Sequence, residues 1–285
     1  MKMVNLGCGS HYHKDWTNID LVSPDSMVIS HDLTRGIPLD DDSCDVVYHS
    51  HMIEHLKRDD ASRFMSECHR VLKPGGIVRV ATPNLEQICH IYLEKLDSAR
   101  VAGAEVNAPD YDWIMLEMYD QMVRERSGGQ MVDYLKQNPI LNEAFVYERI
   151  GEEGRNLIRQ LRETRTVKRE IWANRPNAHN VGIGIDRVIR KVRDDVLARL
   201  ILGQEGHDAL KIGRFRKSGE IHHWIYDQHS LSVLMSRVGF REMMTRSADT
   251  SAIYHWSSYH LDTMPDGSVY KPDSIYMEAV KPLKK

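Results

Sequence analysis

Two stretches of this sequence carry residue types that can do chemistry. The first is His51-Met52-Ile53-Glu54-His55. Imidazole and carboxylate serve as general bases near neutral pH, and both ligate zinc, iron or manganese. If the segment opens a helix, His51, Glu54 and His55 fall at i, i+3 and i+4 and share one face. Three readings stay open. His51 or His55 is a general base. The trio His51, Glu54 and His55 binds a divalent metal that lowers the pKa of a substrate hydroxyl. Or Glu54 and His55 are structural groups at a helix start. His-x-x-Glu-His is also the inverted zinc-peptidase signature, but it is short and here it follows a strand of a nucleoside-binding pattern. The second stretch is Glu220-Ile221-His222-His223-Trp224-Ile225-Tyr226-Asp227. His222 or His223 could be a base or a further metal ligand, and a surface loop is the plainer alternative.

Those groups need a partner to act on, and the N-terminus supplies one. Val4-Asn5-Leu6 runs into Gly7-Cys8-Gly9-Ser10, an apolar strand entering a Gly-x-Gly turn. Glycine there lets the backbone approach a ligand closely. A second strand, Trp16 to Leu21, ends in Asp20, and a third, Met27 to Asp32, closes on another acid. A strand, a glycine turn and an acid at the next strand end form a nucleoside-binding arrangement, the acid accepting from both ribose hydroxyls. The third glycine of a dinucleotide fingerprint is missing, with Tyr12 in its place. That argues against a pyrophosphate on a helix N-terminus, hence against NAD or FAD.

The elements that must position these groups alternate. Asp45 to Ser50 is a fourth strand and Ile77 to Pro83 a fifth, with a helix over 59–73 between them. In that helix Ala61, Phe64, Met65, Cys68, Val71 and Leu72 recur at helical spacing. Pro74-Gly75-Gly76 is read as its stop. Short apolar strands with a returning helix predict a parallel α/β sheet. Residues 86–215 change character and read as a long, charged helical insertion. Ile88, Ile91, Tyr92 and Leu96 form one stripe; Trp113, Leu116, Met118 and Met122 form another. Arg155, Arg159, Arg162, Arg165, Arg169, Arg187, Arg190 and Arg193 recur at helical spacing. They read either as a solvated face over Leu157, Leu161, Ile171 and Trp172 or as an anion-binding face. Gly182 and Gly184 mark a break between helices. The α/β pattern resumes with a helix over Asp227 to Val238 and strands over Phe240 to Arg246 and Ser274 to Val280. Asp266-Gly267 reads as a hairpin turn before the last strand.

Composition narrows the class. A chain of 285 residues with 41% apolar and 28% charged residues is ordinary for a soluble globular protein. Burying roughly three quarters of its unfolded surface, it needs no disulfide staples. Cys8, Cys44, Cys68 and Cys89 form no Cys-x-x-Cys pair, so reduced thiols in a cytoplasmic protein are expected. No signal peptide precedes the first strand, and no apolar run approaches about 18 residues. A net charge of -3 gives no global case for nucleic acid. Fifteen histidines is the compositional oddity.

Taken in order, Asn5-Leu6-Gly7-Cys8-Gly9, Asn18-Ile19-Asp20, His31-Asp32-Leu33, Asp45-Val46-Val47-Tyr48, Glu54-His55-Leu56 and Arg70 to Gly76 resemble a class I S-adenosylmethionine-dependent methyltransferase of the broad type-11 group. The resemblance covers about 1–84 well and roughly 220–282 more loosely. It implies a Rossmann-like seven-stranded sheet of order 3-2-1-4-5-7-6, the last strand antiparallel. The sheet would be split between residues 1–85 and 216–285 by the insertion, acting as lid, substrate or dimerisation element. The helix that the family places between strands 1 and 2 has only Ser10 to Asp15 available. The insertion or another subunit is expected to cover that face, and insertion residues to close over the cofactor.

The resemblance also maps roles. Gly7, Cys8 and Gly9 would face the methionine end of S-adenosylmethionine, Asp20 with Leu21 the ribose, and Asp32 with Leu33 the adenine. His49 and Ser50 would lie near the sulfonium. Related O-methyltransferases place a Glu-x-x-Glu-His metal set here; His51 replaces its first Glu. The absence of an Asn/Asp-Pro-Pro-Tyr-type loop after strand 4 favours oxygen as the methyl acceptor, and the short N-terminus resembles relatives associated with polysaccharide modification. The expected acceptor is therefore a small-molecule or glycan hydroxyl. A phosphate-bearing donor sugar would suit the arginines. The alternatives are a non-catalytic cofactor-binding partner subunit, and a nucleic-acid methyltransferase using the basic insertion.

Overall fold

The computed structural model describes residues 1–23, 25–103, 107–173 and 185–284, with the backbone alone for 164–173 and 185–195. The strands are β1 (Met3–Leu6), β2 (Thr17–Asp20), β3 (Val28–Ser30), β4 (Cys44–Ser50), β5 (Leu72–Pro83), β6 (Arg241–Arg246) and β7 (Ser274–Val280). They form one sheet of order β3-β2-β1-β4-β5-β7-β6, as expected. The first five are parallel, and β7 runs antiparallel to both β5 and β6. The centre is buried on both faces, which is why Val46-Val47 and Val80-Ala81 read as apolar pairs.

One face is covered by helices α1 (Arg58–Val71) and α7 (Gln228–Arg237). Ala61, Phe64, Met65, Cys68 and Val71 turn inward from α1, and Leu231 and Met235 from α7, onto Val4, Leu6, Val47 and Val78. The helix ends two residues earlier than its periodicity suggests. Leu72 is already extended and begins β5, so Pro74-Gly75-Gly76 lies inside the strand rather than capping the helix. Lys281 takes over the capping: its Nζ donates to the Leu72 carbonyl at 2.7 Å.

The other face corrects an expectation. No helix forms between β1 and β2, where residues 10–15 are turn and coil. Neither the insertion nor a second subunit is needed to cover the gap. The link between β6 and β7 folds back instead, laying Ile253, Trp256, Tyr259 and Leu261 against Met3, Trp16, Val46 and Tyr48. Arg79, fully buried on β5, holds this link by donating to Asp262, Glu278 and the carbonyls of Ser247 and Thr250, all at 2.8–2.9 Å. Asp266-Gly267 forms the turn of a small hairpin closed by Met264 and Ser268, ahead of the antiparallel last strand.

Between β5 and α7 come α2 (Leu85–Ala102), α3 (Pro109–Val123), α4 (Gly129–Leu135), α5 (Glu143–Ala173) and α6 (Ile185–Arg216). These helices have their own core: Trp113, Leu135, Ile140, Val146 and Ile158 are buried together, with Leu157 and Leu161 packed against them. Inside it, Arg149 forks onto Glu117, Nη2 reaching Oε2 at 2.7 Å. The other described arginines on α5 serve its outer face: Arg162 pairs with Glu143, Arg159 approaches Glu152, and Arg155 sits over the Tyr147 ring. The expected break at Gly182 and Gly184 lies outside the described residues. So do the side chains of Arg165, Arg169, Ile171, Trp172, Arg187, Arg190 and Arg193. Among the described residues no helix is long and apolar enough to cross a membrane.

Candidate active site

The site begins where β1 drops into its turn. Gly7 has φ +67°, and a Cβ there would stand 2.7 Å from Met52 Cγ, so only glycine fits without displacing that side chain. Gly9 has φ +54° with nothing within 4 Å of its missing Cβ, leaving the backbone open towards the groove. Cys8 is buried beside Asp20, and burial pushes its thiol up to about 12, so it stays protonated. Asp20, ending β2, accepts from the Gly9 N–H at 2.8 Å and the Val22 N–H at 3.2 Å. Asp32, following β3, accepts from the Thr34 N–H at 3.0 Å and its hydroxyl at 2.6 Å. That hydroxyl bond leads the effects that hold its carboxyl below the usual range. Leu33 is buried beneath this turn, whereas Leu21 is exposed. Asp20 and Asp32 thus stand at or just after the ends of the adjacent strands β2 and β3.

Strand alternation decides what β4 presents. Tyr48 and Ser50 line the groove. His49 points the other way, fully buried against Phe64 with both ring nitrogens unpartnered, and burial lowers it to about 3. Its side chain is therefore in the core, not at the sulfonium position that the resemblance implied.

After β4 the chain does not enter a helix. His51 takes a left-handed conformation (φ +49°), Ile53–His55 form one 3₁₀ turn, and α1 starts only at Arg58. His51, Glu54 and His55 consequently do not share a helical face. His51 Nδ1 lies 3.4 Å from Glu54 Oε1, and its Nε2 is 2.7 Å from the Ser274 hydroxyl. Glu54 is fully buried, its Oε2 accepting from the Thr82 hydroxyl at 3.0 Å, and burial raises it to about 7. His55 Nδ1 donates to the Ile221 carbonyl at 3.2 Å. The ring of His222 meets that of His55 edge-on at 4.7 Å. Burial lowers His51, His55 and His222, so all three rings are neutral near pH 7.

Among the described residues, Glu54, His55 and His222 each offer a ligand atom within 4.8 Å of the others. His222 therefore takes the place in a ligand set that the sequence reading gave to His51. Glu54 Oε1 and His222 Nδ1 are buried without hydrogen-bond partners, a donor set that fits a divalent cation. His223 diverges: it is half-buried, and its backbone N–H donates to the Glu54 carbonyl at 2.7 Å.

Two cavities meet here. The first, about 370 Å³, runs along Gly7 to His11, Tyr48 and Ser50. The second, about 510 Å³, lies between the sheet edge and the insertion, walled by Ile88, Met131, Leu135, Ile150 and Leu157 with Glu117, Glu153 and Asp273. Ser10, His51, Gln121, Arg124, Glu153, His222 and Tyr270 line both, so they form the junction. Tyr270 stacks on His11 at 4.0 Å, roofing the open side of the glycine turn. The insertion supplies the opposite wall through Gln121, Arg124 and Glu153. Sequence reading missed these groups and Asp273, because nothing local links α3 or the β6–β7 link to a turn more than a hundred residues away.

The sheet order is the one that the sequence resemblance implied for the class I S-adenosylmethionine-dependent methyltransferases. Residues 5–80 match a family model described as a methyltransferase domain. The chain is 50% identical over 56 residues, 20% of its length, to a probable S-adenosylmethionine-dependent methyltransferase of Mycolicibacterium smegmatis. It is 33% identical over 99 residues, 29% of its length, to another from Mycobacterium tuberculosis. The matches span 21% and 35% of these two relatives. A crystal structure of a SAM dependent methyltransferase from Archaeoglobus fulgidus is 10% identical at a TM-score of 0.37, covering 98% of this chain and 86% of that one.

Proposed function

We propose that this chain transfers the methyl group of S-adenosylmethionine to a hydroxyl of an uncharged small-molecule or sugar acceptor. The observation that carries this is the junction: the cavity beside the glycine turn and the second cavity share His51 and His222 in their walls. Asp20 would take the ribose hydroxyls, Asp32 the adenine amino group, and Gly7 and Gly9 the methionine end. The methyl group would then point from the groove towards the second cavity. Methyl transfer is an in-line displacement on an activated sulfonium, so positioning supplies much of the rate. The hydroxyl proton needs an acceptor, and His222, neutral and lining both cavities, is the proposed base. In place of a free base, Glu54, His55 and His222 would hold a divalent metal, which when bound would supply Lewis-acid activation of the acceptor oxygen.

The cavity walls bear on the acceptor. Glu117, paired with Arg149, Glu153, paired with Lys271, and Asp273 line it, while Arg159 and Arg162 of α5 are engaged with carboxylates outside it, so these arginines offer this cavity no phosphate site and a neutral polyol fits better. Incubation with methyl-labelled S-adenosylmethionine and a panel of neutral sugars and alcohols tests the proposal. Label transfer that fails in His222→Ala supports it. Tight cofactor binding without transfer to any acceptor would favour the partner-subunit reading instead.

A further inference from the structure

The turn after β1 lacks the helix that would ordinarily flank it, so the methionine end of a bound cofactor meets the insertion. Arg124, at the C-terminal end of α3, lines both cavities at their junction. Its side chain is only 10% exposed. It is held in place from one side: Nη2 donates to the Glu220 carbonyl at 2.9 Å and lies 3.4 Å from Glu220 Oε1. The backbone around it is stitched to the same segment. The His222 N–H donates to the Gln121 carbonyl at 3.0 Å, and the Gly128 N–H donates to Glu220 Oε1 at 2.8 Å. Its Nε is buried with no hydrogen-bond partner, and Nη1 makes no hydrogen bond among the described residues. A fixed guanidinium with unsatisfied donors at a cavity junction is built for an oxyanion, above all a carboxylate. The other cation lining the groove, Lys271, is already paired with Glu153 at 3.1 Å.

We infer that Arg124 binds the methionyl carboxylate of S-adenosylmethionine, so that the helical insertion completes the cofactor site. This rests on the cofactor assignment above. It makes α3 part of the cofactor site, and it sets specificity for the amino-acid end of the cofactor rather than for its nucleoside end. Glu220 fixes the guanidinium from behind, so Arg124 needs little reordering when the ligand arrives.

Calorimetric titration with three ligands tests it: S-adenosylmethionine, its decarboxylated analogue, and 5′-methylthioadenosine, which lacks the whole amino-acid end. The wild-type chain is expected to prefer S-adenosylmethionine over the decarboxylated analogue by about tenfold or more, the scale of one charge-assisted contact. In Arg124→Met that ratio should fall towards one while affinity for 5′-methylthioadenosine is unchanged. Arg124→Lys, which keeps charge but loses the planar fork, should retain part of the ratio. A ratio preserved in Arg124→Met, or no preference in the wild type, overturns the inference while leaving the cofactor assignment standing. A wild-type chain that binds none of the three ligands overturns both.

Discussion

Arg79 and Asp262 meet at 2.8 Å with both side chains out of solvent, 0% and 2% exposed. One comes from the centre of the sheet and the other from the β6–β7 link. Tyr48 donates to the second carboxylate oxygen at 2.5 Å, and Trp256 lies under the guanidinium at 4.4 Å. The pair thus ties the link to the face that lacks a helix, and the roof over the glycine turn follows from it. Removing Asp262 leaves Arg79 paired with Glu278 but without one buried charge-assisted hydrogen bond, which costs about 1.5–3 kcal/mol. Asp262→Ala is expected to lower stability by that amount in urea unfolding. A loss under about 1 kcal/mol for this variant would show that the link is held by its apolar contacts alone.

Asp20 has two tasks in the proposed site. It already accepts the Gly9 N–H at 2.8 Å, and it would accept ribose hydroxyls when the groove is filled. Asp20→Ala should therefore weaken S-adenosylhomocysteine binding by about tenfold or more, read by calorimetry. Gly7→Ala should weaken it through a different route, since its methyl meets Met52 and φ is +67°. Unchanged affinity in Asp20→Ala would remove the nucleoside assignment.

These two residues also mark how far the sequence could be read. Gly7, Gly9, Asp20 and Asp32 occur in local motifs tied to strand ends, so strand periodicity and turn chemistry located them. The full strand order followed from the same ordered motifs. What escaped was set by long-range packing. His49 reads as part of a site until alternation along β4 turns it into the core. His51, Glu54 and His55 share a face only if helical, and the left-handed backbone at His51 prevents that. His222 joins Glu54 and His55 because its N–H is held by the Gln121 carbonyl, a contact across 101 positions that no window of sequence contains. The aromatic cover over residues 10–15 likewise comes from the far end of the chain.

The histidine and carboxylate cluster separates a base from a ligand set by its response to chelation. If His222 acts alone as base, EDTA leaves turnover unchanged, and His222→Ala costs about a hundredfold or more whereas His55→Ala costs much less. If Glu54, His55 and His222 hold a metal, EDTA abolishes turnover, added divalent metal restores it, and Glu54→Gln is as damaging as either histidine change. Turnover with methyl-labelled cofactor, together with metal analysis of the purified chain, decides between them.

Asp273, on the wall of the second cavity, offers a pH prediction. Burial, reinforced by Glu117, raises its carboxyl to about 7 from the ordinary aspartate value of 3.8. Its folded-state pKa therefore lies above its unfolded value, and between about pH 4 and 7 the folded chain binds more protons at this site. Its contribution to stability is full below the unfolded pKa and is lost as pH rises through about 7. Asp273→Asn removes that loss, so the variant's stability relative to wild type should increase from pH 5 to pH 8 and then level off. Full conversion of a three-unit shift would be ~4 kcal/mol. Asp273 is half-buried on a cavity wall, and solvent screening cuts the expected gain to ~1–2 kcal/mol. Glu54, also raised to about 7 and itself raised in part by the Asp273 charge, titrates in the same window, so the difference between variant and wild type reports Asp273 together with its effect on Glu54. Urea unfolding of both chains at several pH values measures it. A difference that stays flat across this range would mean that the Asp273 carboxyl is ionised and solvated in the folded chain.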